Sequence, residues 1–174
     1  METNAIQQQV NNSAAQLISP EAFLSNWQGH RSLTRKVIEA FPEDKLFGYS
    51  VGGMRSFGVM AVEIMDLSQY GIEGVVTRTW RSAGTLDHAT EKVAVESKAS
   101  ILQRWDQITQ ELNEYWPQIS PERFQEVEVA FGAYENKNIN TIQYVVDNEI
   151  HHRAQGYVYL RTLGIEPPAF WDRF

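Results

Sequence analysis

Apolar residues recur along this chain at intervals of three and four, the spacing at which side chains share one face of an α-helix. Phe23, Trp27, His30, Leu33, Val37 and Phe41 form the first such stripe, and Ser-Pro-Glu at 19–21 precedes it. That tripeptide is a start signal: the serine caps, the proline suits the first helical position, and the acid meets the positive end of the helix dipole. Pro42 ends this helix near residue 41. A glycine-rich connection, Gly-Tyr-Ser-Val-Gly-Gly-Met, leads into a second stripe of Phe57, Met60, Ile64, Leu67, Gly71 and Val75, which predicts a helix over 56–76. Val93, Ser97, Ile101, Trp105, Ile108, Leu112 and Tyr115 predict a third over 93–116, after a longer loop, and Pro117 and Pro121 break it. Residues 127–134 alternate loosely and read as extended. A fourth helix runs from about 140 to Gly164, a C-terminal glycine stop with Pro167 and Pro168 beyond it.

Four helices of this length with no strand-rich region between them predict an all-α fold, a four-helix bundle with uneven connections. Residues 1–18 form a polar, Gln/Asn-rich leader, and 19–174 form a single domain. The uneven connections do not enforce a simple up-down-up-down series.

Composition narrows function mainly by exclusion. The chain has 174 residues, enough for one core, and is 43% hydrophobic and 21% charged. No apolar run approaches the roughly 18 residues a membrane helix needs, and the start lacks a basic region followed by an apolar one. A cytoplasmic protein with no membrane partner is expected. With no cysteine, disulfides, thiol nucleophiles and thiolate ligands are excluded. Net charge is −7, and the densest basic cluster, His30–Lys36, holds only three Lys/Arg. Nucleic acid, which needs a cationic face, is not an expected partner.

The candidate chemistry sits on the fourth helix, where His151 and His152 are adjacent. Neighbouring helical residues point about 100° apart, so the two cannot chelate one ion by themselves. His152 shares its stripe with Val145, Asn148 and Tyr159, and Asn148 lies at i−4 on the same face. His151 shares a face with Tyr144, Asp147 and Val158. On the second helix Glu63 stands beside Ile64 and three residues from Met60, so an inward carboxylate there needs a partner. A cation held by Glu63 and His152, with Asn148 as a weak oxygen ligand, would supply one. Equally, Glu63 and Asp66 read as a solvated flank, and Asn148 as a hydrogen-bonding residue across the bundle. His30 occupies an apolar-stripe position, and His88 beside Asp87 reads as exposed. Ser56 and Ser68 have no histidine at a diagnostic spacing, and Val-Gly-Gly-Met-Arg-Ser lacks the lysine and glycine spacing of a phosphate loop.

Glu-Ile-His-His-Arg-Ala-Gln-Gly-Tyr-Val-Tyr-Leu-Arg-Thr-Leu-Gly-Ile-Glu-Pro-Pro at 149–168 resembles the fourth-helix signature of the DinB-like family. The stretch from Phe41 to Ile64 is similar to that family's first junction and second helix, and the ending Pro-Pro-Ala-Phe-Trp-Asp-Arg-Phe also fits. The resemblance spans Phe23 to the C-terminus. It implies a bundle with a long crossover, a homodimer, and a metal site of three histidines. Carried over, those ligand positions are Glu63, Asn148 and His152, of which only the last is histidine; His151 matches a neighbour that is not a ligand.

Glutamate and imidazole suit Zn²⁺, Ni²⁺ or Mn²⁺, whereas an asparagine carbonyl is a weak ligand. Either a divalent metal is held more weakly, or it is absent and the three residues form a hydrogen-bonded cluster. The resemblance implies, in the first case, a metal-dependent thiol transferase or a hydrolase of small molecules; Glu63 would then be ligand or base and His152 a ligand, and Tyr159, about two turns further along the helix face, is placed to donate to a substrate. In the second case the chain is a non-catalytic, dimeric ligand-binding or stress-associated bundle, with a small-molecule pocket that Trp27, Phe57, Trp105 and Tyr159 could line, although at helical spacing such residues are more often plain core.

Overall fold

The computed structural model describes residues 17–81, 86–87, 92–93 and 97–174. Most of the predicted leader (1–16) and His88 lie outside these residues. Helix α1, Pro20–Ala40, begins as its sequence predicts: Ser19 Oγ accepts from the Ala22 amide at 3.1 Å. It stops where Phe41 turns extended ahead of Pro42. A short helix, α2, covers Glu43–Gly48 within the connection. Helix α3, Phe57–Thr77, is buried on most of its circumference, including Phe57, Met60, Ile64, Met65, Ile72 and Val75.

Strands β1 (Leu86–Asp87) and β2 (Lys92–Val93) pair antiparallel before α4, Lys98–Tyr115. The third helix therefore starts five residues later than its apolar spacing predicts. Val93 belongs to the strand pair, and Ser97 is the cap, accepting from the Ser100 amide. A 3-10 turn at Trp116–Gln118 and helix α5, Pro121–Gln125, follow the two prolines. The predicted extended segment is the first half of a hairpin, β3 (Val127–Ala130) with β4 (Tyr134–Lys137), in register Val127↔Lys137 to Ala130↔Tyr134. Helix α6, Asn138–Thr162, is the longest described, and Gly164 at φ 76° ends its last turn in the left-handed conformation that glycine adopts freely.

The four long helices form an all-α bundle in which α1 and α3 each pack against both α4 and α6. α1 and α3 thus lie diagonally across the bundle although they follow one another in sequence. The core has two parts. Around one, Phe41 and Phe57 stack at 4.8 Å; around the other, Trp27 and Phe124 pack on Trp116. Gly156 on α6 lets the Phe57 ring of α3 approach so closely that a Cβ there would sit 2.5 Å from it. Among the described residues no helix is long and apolar enough to cross a membrane.

Candidate functional site

The interface of α3 and α6 brings together the three residues that the sequence singles out. Glu63 faces α6, and its Oε1 accepts from Asn148 Nδ2 at 3.1 Å and lies 3.1 Å from His152 Nε2. Its other oxygen, Oε2, is 2.5 Å from an Arg55 guanidinium nitrogen. Burial pushes the Glu63 carboxyl up, but the bonds from His152, Arg55 and Asn148 outweigh it and hold the group at about 2. Glu63 is therefore an ionised carboxylate with only 13% of its side chain exposed, which sets aside the solvated-flank reading. Asp66 is buried too, accepting from the Leu86 amide and paired with Arg104.

Arg55 is the member of this site that sequence patterning misses. It precedes Ser56, the N-cap of α3, and its position depends on the loop rather than on a helical period. Tyr159 fixes that loop: its hydroxyl donates to the Arg55 carbonyl at 2.9 Å, and its ring meets Tyr49 edge-on at 6.0 Å. Tyr159 is fully buried, so it positions Arg55 and is not available as a donor to substrate. On the far side of His152, Nδ1 lies 3.2 Å from Gln155 Oε1, and the Gln155 amide nitrogen is 3.1 Å from exposed His151.

A metal ion requires lone pairs converging on one point. Here His152 Nε2 lies against a carboxylate, which calls for a proton on that nitrogen, and Asn148 presents its amide N–H to the same oxygen. Arg55 already supplies the positive charge. As arranged, the donors serve one another, and the set does not fit a divalent ion. Asn148 Oδ1 is the exception: it is buried without a hydrogen-bond partner among the described residues. No cluster of three or more His, Cys, Asp or Glu suited to an ion occurs among those residues.

α6 carries a second polar group on the face toward α1. Fully buried Glu149 accepts from Thr34 at 2.6 Å and Trp27 at 3.3 Å, with Arg31 and Arg153 at 4.0 and 3.9 Å. His30 faces the core as its stripe position suggests, but it joins this group: its Nδ1 accepts from Arg153 at 3.0 Å. Burial, then the charges of Arg153 and Arg173, hold His30 down at about 4, so it is a neutral ring at pH 7.

Beside Glu63 a cavity of about 550 Å³ opens between α3, α6 and the β3–β4 hairpin. Leu67, Tyr70, Phe131, Tyr134, Thr141 and Tyr144 line it with Glu63. Trp27, Phe57, Trp105 and Tyr159, which the sequence offers either as pocket lining or as plain core, are nearly inaccessible core. Their helical spacing marks burial, and it does not separate a cavity wall from packed interior.

A family model described as "DinB family" matches residues 7–173. Among solved structures, a DinB-like protein from Bacillus cereus superposes with a TM-score of 0.67 at 17% identity, covering 86% of this chain and 95% of that one. A DinB-like protein from Bacillus subtilis gives 0.65 at 17% identity, covering 87% and 98%. At that identity the likeness shows the fold. No curated protein matches the sequence significantly.

Proposed function

Because this chain belongs to the DinB family, we propose that it is a ligand-binding bundle whose Glu63 site is closed by its own cation, Arg55, instead of being built around a divalent ion. One observation carries this reading. Both oxygens of Glu63 are engaged by donors from within the chain, and the guanidinium lies 2.5 Å from Oε2. The adjoining cavity, within the usual size range of small-molecule sites, supports a binding role.

The second reading is a metal-dependent thiol transferase or hydrolase. What favours it is Asn148 Oδ1, buried and without a partner among the described residues, beside Glu63 and His152. Titration of tag-free protein with Zn²⁺, Ni²⁺ and Mn²⁺, followed by calorimetry and melting, separates the two. The wild type is expected to take up no stoichiometric ion and to show no rise in Tm. The double variant Glu63→His/Asn148→His, which restores three imidazoles, is expected to bind one Zn²⁺ and to gain about 2.7 kcal/mol when Zn²⁺ is at roughly a hundred times Kd. One tightly held ion per wild-type chain, with metal-dependent turnover lost in His152→Ala, would establish the second reading instead.

A further inference from the structure

The hairpin that walls the cavity holds a residue in an unfavourable conformation. Phe131 has φ 54° and Gly132 φ 71°, and the Ala133 amide donates to the Ala130 carbonyl at 3.1 Å. Both central residues of this tight turn thus have positive φ. Glycine and asparagine take that setting easily, and a bulky aromatic does not. Such strain survives only where the surroundings over-determine it, and it gathers at ligand clamps.

The surroundings here do over-determine it. Trp80 meets the Phe131 ring edge-on at 5.4 Å. The Trp80 indole donates to Glu128 at 3.0 Å, and Glu128 is gripped by Arg123 at 2.7 Å. Trp80 also lies flat against Gly74, leaving no room there for a Cβ. Phe131 is braced by Trp80 and lines the cavity with Tyr70, Tyr134 and Tyr144. Tyr134 and Tyr144 are 69% and 60% exposed, which is unusual for rings that could pack inward.

Charge decides what such a space accepts. Among the described residues three charged ones border it, and each is paired within the chain: Glu63 with Arg55, Asp66 with Arg104, and Arg81 with Glu73. Among the described residues the cavity therefore offers ring faces and hydroxyls but no unbalanced charge. We infer that it binds a neutral, planar aromatic molecule, held by Phe131 in its left-handed turn together with Tyr70, Tyr134 and Tyr144. This names the ligand class of the binding bundle proposed above and rests on that reading.

The probes are naphthylmethanol, naphthoate and naphthylmethylammonium, one ring system in neutral, anionic and cationic form, titrated into the full-length protein by ligand-observed NMR. Saturable binding that prefers naphthylmethanol is expected. Phe131→Asn suits the turn, so it should raise Tm by about 2–4 °C while weakening naphthylmethanol binding about tenfold. A residue that merely shaped the hairpin would not give that pair of opposite changes. Tyr144→Ala, an exposed position on a different element, should weaken binding severalfold and serves if the turn variant folds poorly. The inference is overturned by non-saturable binding to the wild type, by a preference for either charged probe, or by affinities unchanged in both variants. The Zn²⁺ titration on the same samples keeps the readings distinct. No probe binding without Zn²⁺ uptake removes the ligand class and leaves Arg55 as the internal cation; one Zn²⁺ ion bound removes that role whatever the probes do.

Discussion

A carboxyl held at about 2 in the folded chain, against an ordinary 4.5, ties Glu63 to stability. Its folded value is depressed, so its contribution is complete above pH 4.5 and is lost as the pH falls toward 2. With allowance for water reaching the Arg55 side, that contribution is on the order of 2 kcal/mol. Denaturant unfolding of wild type and Glu63→Gln across that window should show the wild type losing about that much more stability; parallel curves would refute the linkage. Glu63, Asn148 and His152 were visible in the sequence because helical spacing and the family signature locate them. Arg55 was not, and Tyr159 was placed on the right face but given the wrong partner, for two different reasons. Arg55 lies in a loop, where no period constrains direction, and the Tyr159 hydroxyl is spent on a backbone carbonyl, a partner no side-chain pattern records.

Helix α6 is the element on which both polar groups depend. One turn of it points Asn148 and His152 at α3, and the residues next to them, Glu149 and Arg153, at α1. A helix with buried polar side chains on two sides cannot present a clean amphipathic stripe, which is why its apolar pattern is weaker than that of α1. Removing the Glu149 carboxylate leaves two guanidiniums, Arg31 and Arg153, buried without their counter-charge. Glu149→Ala should therefore cost about 3–5 kcal/mol in chemical denaturation, far more than an exposed α6 change such as Asp147→Ala. At the crossing with α3, Gly156→Ala would press a methyl into the Phe57 ring and should cost about 1–3 kcal/mol. Both ends of α1 and the end of α6 were legible from a cap, prolines and a glycine. The start of α4 was not, since Val93 continues the helical spacing while its backbone pairs with Leu86.

At the scale of the molecule, the number and approximate length of the long helices followed from apolar periodicity, and the uneven connections already warned against a simple hairpin series. The order in which the helices surround the core did not follow, because a face marked apolar does not say which neighbour covers it. That order has a consequence in time. α1 and α3 emerge first during synthesis, yet they meet only across the bundle, and each needs α4 and α6 beside it. The first two long helices accordingly do not settle against each other; α4 covers one side of the groove between them, and the other side stays open until α6 arrives. A chain ending at residue 137 should show no cooperative melting transition by calorimetry, although it keeps three of the four long helices. The nascent protein is then committed to waiting: α1 and α3 stay within reach of chaperones and proteases until residues 138–174 leave the ribosome.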